Sequence, residues 1–490
     1  MAASVLLERV AELIAFGQRT LSAPAHAELD ELSRRIREPV RIAIVGRVKA
    51  GKSTLVNALL AQRVAPTDVS ECTRVVTWFH YGHPQRVEIH MIDGSVADAE
   101  LSTDGTLPQE LGVPLSNVGS LHCYLANELL KWVTLIDTPG IGSVHSEFSA
   151  ATERLLAADR STAEAAERAD AVVFLINQVV MEDELEALQL FKTGAAAEDS
   201  QSAASAVGIL SKADQLGDGA EDPWGVALEL AGRYSDQFRD EVAVVVPVVG
   251  LIAETAESAM LTERDAMYIA ALAEMAEEAF DRLLWSADRF VNAAAPLPET
   301  VRERLLMMLD LYGIRKAVDA VREGSADATA LRRSLSEISG IAQVKRTLDT
   351  YFHEQDDVLK ARSALEILRR LSYRDDCEVA VRGTFRAAVE ALRLDPIAHP
   401  VAELEVLQEC LSGRVHLPGD LIDEVKRLLQ PGSPAHRLGL EAGDKDALVA
   451  AAQEAMVRWR TFRVIEADPL QRHVAQVVLR SYQILWTELT

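Results

Sequence analysis

An α/β domain on a mostly parallel sheet, followed by an all-α helical bundle, is the fold class that this 490-residue sequence predicts. Three observations carry it. After Arg41, short apolar runs alternate with helical stretches, the pattern of strands whose sheet is covered by helices. A glycine-rich turn joins the first run to the helix that follows it. Beyond Glu254 no convincing strand pattern remains, and long segments rich in Ala, Leu, Glu and Arg continue to Thr490.

Taken in order, Val5 to Ile36 places Leu6, Val10, Leu13 and Ile14 on one helical face and Leu29, Leu32 and Ile36 on another. Pro24 starts the second of these two helices. The apolar runs Ile42–Val45, Val133–Ile136, Val172–Ile176, Val207–Leu210 and Val242–Val246 are expected strands. Val75–His80 and Val87–Ile92 alternate around Gly82-His83-Pro84 and are expected to pair as a hairpin. Tyr312-Gly313-Ile314 and Ser339-Gly340-Ile341 are read as two similar helix starts rather than a repeat. Val358, Ala361, Leu365 and Leu368, and again Val474, Val478 and Leu485, have the spacing by which helices bury a stripe in a bundle. Leu411 to Pro434 is expected to be a connecting loop that acts as a hinge. Residues 1–38, 39–351 and 352–490 form the expected units.

The formal charge of −25 argues against nucleic acid, because affinity for phosphate backbones comes from Lys and Arg that displace counterions. It also weakens attraction to anionic lipid, although a local basic cluster can still act. Cys72, Cys123, Cys377 and Cys410 lie far apart, with no CxxC pair, so a reducing, cytoplasmic compartment is expected. Met1 to Arg9 lacks a basic region before an apolar core, so no signal peptide is expected. The longest apolar candidate, Val242 to Ala253, is broken by Pro247 and Gly250 and is too short to cross a bilayer.

The chemistry lies in five segments. Gly46-Arg47-Val48-Lys49-Ala50-Gly51-Lys52-Ser53, followed by Thr54, matches GxxxxGK[ST] directly after Ile42–Val45. In such a loop backbone N–H groups wrap phosphates, the helix start adds its positive end, Lys52 reaches the β- and γ-phosphates, and Ser53 ligates magnesium. A chance glycine-rich turn would lack the strand before and the helix after. Asp137-Thr138-Pro139-Gly140 follows Val133–Ile136, so Asp137 can hold magnesium through water while the Gly140 amide approaches the γ-phosphate. Ser211-Lys212-Ala213-Asp214 follows Val207–Leu210 and resembles [NT]KxD, whose Asp accepts both guanine N–H donors. Ser at its first position is a departure that weakens one stabilising contact. Thr73, 21 residues after Lys52, is the candidate switch hydroxyl for magnesium, with Thr67 and Ser70 as alternatives. Gly250, in Val246-Pro247-Val248-Val249-Gly250-Leu251, belongs to the last element, whose backbone lines the base.

With these residues in place, the chain resembles the dynamin superfamily of P-loop GTPases, in particular the bacterial dynamin-like proteins, whose phosphate loops often read KAGKST as Lys49–Thr54 do. The intervals of 85 residues from Lys52 to Asp137 and 77 from Asp137 to Asp214 resemble an enlarged dynamin G domain. Within that superfamily the isoniazid-inducible dynamin-like proteins of mycobacteria are the likeness suggested. The resemblance implies GTP hydrolysed to GDP with Mg, a neck made from Val5–Ile36 and Phe352–Thr490, a homodimer across the nucleotide faces, and coupling to membrane remodelling. It also implies a peripheral position on the inner face of the plasma membrane. The short tail shows no apolar tip loop, which counts against direct insertion. Where eukaryotic dynamins carry a water-positioning Gln, this chain has Val48. At the next position dynamins have a Ser that helps bind a monovalent cation, and here Lys49 either puts its ammonium in the cation's place or points to solvent as a surface lysine. Arg47 and Arg74 are weaker candidates, either for that role or for contacts across a dimer.

Two other readings stand beside this one: a regulatory GTPase whose helices dock a protein partner, and a subunit that acts only with a longer dynamin-like protein. His80, His83 and His90 are read as structural rather than metal-binding. Arg369-Arg370 and Arg374 are read as a solvated face.

Overall fold

The computed structural model describes residues 2–66, 75–102, 104–108, 110–140, 169–177, 206–217, 222–238, 241–374, 378–411, 415–430, 432–440, 444–465 and 468–490. Two helices lead the chain, α1 (Ala2–Thr20) and α2 (Ala23–Arg35), and Pro24 sits in the first turn of α2, where its missing N–H costs nothing. Among the described residues nine strands then make one sheet in the order β4-β3-β5-β2-β6-β1-β7-β8-β9. Its parallel half contains β1 (Val40–Val45), β6 (Val133–Asp137), β7 (Ala171–Ile176), β8 (Ala206–Leu210) and β9 (Val245–Pro247). Every residue of β1 is buried, as a strand covered on both faces requires. Crossover α3 (Lys52–Leu60) lies on one face and α4 (Pro223–Gln237) on the other.

The remaining strands are β2 (Thr77–Tyr81), β3 (Arg86–Met91), β4 (Val96–Ala99) and β5 (Val118–Leu125). The expected hairpin of β2 with β3 does not form. Instead β5 lies between them, parallel to β2 and antiparallel to β3. Leu121, Cys123 and Leu125 of β5 are fully buried, and so apolar a strand is best held inside a sheet, with β2 and β3 each taking one edge. The expected strand Val242–Val246 is shortened to β9. Ahead of it Ala243 donates to the Ala206 carbonyl and the Val244 carbonyl accepts from the Gly208 N–H of β8, and Pro247 ends the ladder at the sheet edge.

After β9 come α5 (Gly250–Glu257), α6 (Glu263–Ala273), α7 (Glu277–Leu283), α8 (Ala287–Asn292), α9 (Glu299–Arg322), α10 (Ala328–Ile338) and α11 (Ile341–Leu348). They bury Ile252, Ile269, Phe280, Leu309 and Leu335 in a cluster shared with Ile136, Phe174 and Leu210 of the sheet. Gly340 caps α11, which therefore starts where Ser339-Gly340-Ile341 predicts. Tyr312-Gly313-Ile314 lies inside α9, just past a break at Asp310 with φ 54°.

The C-terminal helices are α12 (Asp356–Leu371), α13 (Val379–Leu394), α14 (His399–Leu411), α15 (Gly419–Leu429), α16 (Pro434–Arg437), α17 (Lys445–Ile465) and α18 (Pro469–Leu489). The expected loop Leu411–Pro434 is thus corrected: it contains α15, whose Leu421, Val425, Leu428 and Leu429 make a buried stripe. Pro418 precedes that helix and Gly419 begins it, so neither interrupts it. The apolar contacts of residues 352–490 divide in two. Leu365, Leu368, Phe385 and Val389 of α12 and α13 pack with Leu6, Val10, Leu29 and Leu32 of α1 and α2, whereas α14, α15, α17 and α18 close around Trp459 and Tyr482.

Ion pairs tie α2 in place. Arg35 reaches Asp170 at 2.6 Å beneath β7, and Arg370 of α12 and Arg374, three residues past its end, both pair with Glu28. The arginines read as a solvated face therefore join two helices, with Arg369 bound to Glu366 on its own helix. Among the described residues, no helix is long and apolar enough to cross a membrane.

Candidate active site

β1 delivers the chain into the phosphate loop at Gly46, and the turn closes with two residues in the left-handed region, Lys49 at φ 63° and Gly51 at φ 97°. Lys49 and Val48 are exposed, while Ala50 is buried beneath the loop. Lys52, in the first turn of α3, donates to the carbonyls of Gly46 and Arg47, each at 3.0 Å, so its ammonium sits in the cradle of its own loop. Burial pulls the Lys52 pKa down, and the nearby Asp137 charge partly restores it.

Asp137 ends β6 beside this loop. Its Oδ2 accepts from Ser53 Oγ at 2.8 Å, whereas its Oδ1 is out of reach of water and has no hydrogen-bond partner. Burial pushes its carboxyl pKa up, opposed by Lys52 and by the Ser53 hydroxyl. A buried carboxylate oxygen without a partner is costly, and a hard cation bound through oxygen would satisfy it. Ser53 and Asp137 therefore fit magnesium in their donor chemistry and in that orphaned oxygen. Thr138 donates through Oγ1 to the Ile44 carbonyl at 2.8 Å, which locks this turn to β1. Gly140 lies so close to the loop that a Cβ there would be 2.6 Å from Val48 Cα. Only glycine permits that approach.

On the base side, β8 is followed by Ser211, whose hydroxyl is within hydrogen-bond reach of Ile176 O and Asn177 Oδ1, both at 3.2 Å. Lys212 takes φ 54°, and Ala213 N donates to Val248 O at 3.2 Å, bringing the loop with Asp214 against the loop with Gly250. Burial raises the Asp214 pKa, and the charge of Asp310, at the break in α9, adds to it. Gly250 begins α5 and faces Thr54 of α3. Thr67, Ser70, Thr73 and Arg74 lie outside the described residues, as do Cys72 and Cys377.

The motif residues that are described thus gather at the C-terminal ends of β1, β6 and β8, where ligands bind in open α/β sheets. Sequence reasoning missed Asn57, Glu254 and Asp310. Asn57 is wholly buried one turn and a half after Lys52, which was the available signal; the other two carry no local one. A separate cavity of about 1010 Å³ touches none of the phosphate loop and opens between α2, α12 and the sheet face bearing Trp78. There His80 and His90 do lie on strands, but the third histidine that joins them is His122, not His83. His80 Nε2 and His122 Nδ1 share a hydrogen bond of 3.0 Å, and the His90 and His122 ring centres are 4.0 Å apart.

A family model described as the Dynamin family matches residues 42–213. The chain is 33% identical over 471 residues to the isoniazid-induced protein IniC of Mycobacterium tuberculosis, covering 94% of this chain and 93% of that one. Over 54 residues it is 44% identical to the bacterial dynamin-like protein of Nostoc punctiforme, which is 11% of this chain and 8% of that relative. A solved structure of an oligomerised bacterial dynamin pair, described as sensing and tethering membranes, aligns with 98% of this chain and 90% of its own at 14% identity. Its TM-score of 0.35 is too low for the likeness to carry any argument.

Proposed function

Because the chain belongs to the dynamin family and is a GTP-hydrolysing enzyme, we propose that it cleaves GTP to GDP and phosphate with magnesium at Ser53, Asp137 and Thr73. The observation that carries this reading is the buried Asp137 Oδ1, which has no hydrogen-bond partner while Oδ2 of the same carboxylate accepts from Ser53 Oγ at 2.8 Å. Magnesium, when bound, neutralises charge on the β- and γ-phosphate oxygens. Lys52 exchanges the carbonyls of Gly46 and Arg47 for phosphate oxygens, and the amides of Val48 to Thr54 surround them. The Gly140 amide meets the γ-phosphate. Asp214 accepts from guanine, Lys212 flanks the base, and the Gly250 loop closes its far side.

Lys49 stands exposed at the crest of the loop, the position from which an ammonium can reach the bridging oxygen where negative charge grows during transfer. Two copies meet through their nucleotide faces, and turnover moves α1, α2 and the C-terminal helices against a membrane surface, to which the protein binds peripherally on the cytoplasmic side. A second dynamin-like chain is the alternative partner.

The test is turnover of GTP and of ATP against enzyme concentration, for wild type and Lys49→Ala, in sodium and in potassium. The reading expects preference for GTP, specific activity that rises with concentration, indifference to the monovalent ion, and a loss of about 100-fold in the variant. Equal use of ATP would remove guanine recognition by Asp214. Flat concentration dependence would remove the dimer, and a silent variant would remove Lys49 from the reaction.

A further inference from the structure

The buried amide of Asn57 connects three parts of the site. It lies in the last turns of α3, the helix that begins with Lys52 and Ser53. Its Oδ1 accepts from the N–H groups of Val64 at 3.0 Å and Ala65 at 2.8 Å. Its Nδ2 donates to the Ala65 carbonyl at 2.8 Å and to Glu254 Oε1 at 2.7 Å. All four of its hydrogen-bonding positions are in use, and the residue is 0% exposed. Glu254 is itself buried, in the helix that starts at Gly250, with the Arg63 guanidinium 3.8 Å from the same oxygen.

We propose that Asn57, oriented by Glu254, is a positioning residue for hydrolysis: it ties the phosphate helix and the base-side helix to Val64-Ala65, the stem of the chain that leads on to Thr73. The inference rests on the role given to Thr73 above. If the Glu254 acceptor is lost, Nδ2 keeps only the Ala65 carbonyl, and the amide is free to turn away from the two N–H groups it caps. Buried N–H groups without an acceptor drive the backbone to shift until they find one. Nucleotide bound in the ground state is held elsewhere, by the phosphate loop and by Asp214. A stem displaced by about an ångström should therefore lower kcat by roughly 10- to 100-fold while leaving KM nearly unchanged. A bracket that only stabilised the fold would not separate the two constants.

The experiment uses the full chain as wild type, Asn57→Ala, Glu254→Ala and Glu254→Gln, measuring GTP kcat and KM, fluorescent-GDP affinity and the urea midpoint. The Gln side chain still offers a carbonyl oxygen to Asn57. The expected result is a kcat loss in Glu254→Ala with KM and GDP affinity within about threefold of wild type, and recovery to within about twofold in Glu254→Gln. Asn57→Ala, where it folds, should match Glu254→Ala. Unchanged kcat in Glu254→Ala overturns the inference, as does a Glu254→Gln as slow as the alanine variant, or losses in kcat, KM and GDP affinity that follow the urea midpoint together. A wild type that turns over GTP without magnesium instead overturns the reading of the site, whatever the variants do.

Discussion

Two buried carboxylates show how differently the two halves of this molecule use charge. In the C-terminal helices, Glu424 of α15 accepts from Trp459 Nε1 at 2.9 Å, from the Tyr482 hydroxyl at 2.5 Å and from Arg458 at 2.5 Å, so both oxygens are occupied and three helices are joined. At the nucleotide face Asp137 has one oxygen bonded to Ser53 and the other to nothing. The first arrangement is complete without a ligand. The second is incomplete, and its missing interactions are those a cation would supply. Charge in the bundle secures packing, while charge in the sheet is held ready for a ligand.

The largest effect expected from this contrast is on stability. Glu424→Ala strands a buried indole N–H, a hydroxyl and a guanidinium, and should cost about 3–5 kcal/mol in urea unfolding. Glu424→Gln, which keeps an acceptor oxygen, should cost clearly less; equal losses would mean that side-chain volume rather than hydrogen bonding matters there. Asp137→Asn should do the reverse. It removes a carboxylate that burial already disfavours, so the ligand-free protein should unfold no earlier, while magnesium-dependent GTP turnover falls about 100- to 1000-fold. A variant that loses stability in step with activity would erase the distinction between the two carboxylates.

The smallest effect concerns His80, beside the cavity under α2. Burial holds its pKa down at about 4, from 6.5 when free, with Glu38 and Glu88 opposing and Arg41 and His90 adding to the shift. A histidine depressed in the fold contributes stability that is present above pH 6.5 and lost as pH falls toward 4. That loss should be at most about 3 kcal/mol. Urea midpoints taken from pH 7 to 4 should fall more steeply for wild type than for His80→Leu, and parallel slopes would assign the acid limb to other groups.

What the sequence made legible was local. The phosphate loop, the Asp137 turn and the segment ending at Asp214 each put strand, motif and turn within a dozen residues, so periodicity and residue type could be read together. The hairpin failed because alternation in β2 and β3 reports that they are strands, not which strand separates them, and β5 lies about 30 residues further on. The helix α15 was hidden by Gly and Pro around it, although Leu421, Val425 and Leu428 keep helical spacing. Asn57 and Glu254 meet across 197 residues, and nothing in either neighbourhood announces the other. His122 was passed over for the same reason: it lies on β5, which alternation did not single out.

The packing of α1 against α12 and α13 also has a consequence during synthesis. Leu6, Val10, Leu13 and Ile14 find their cover on Leu365, Leu368 and Phe385, about 350 residues later in the chain. At ribosomal speeds of roughly 5–20 residues per second, that stripe leaves the ribosome some 20–70 s before its partners exist. Over that interval α1 has only α2 to cover part of its stripe, so a segment made long before α12 and α13 is completed only by them, and a chaperone or a ribosome-bound factor has a long interval in which to hold it.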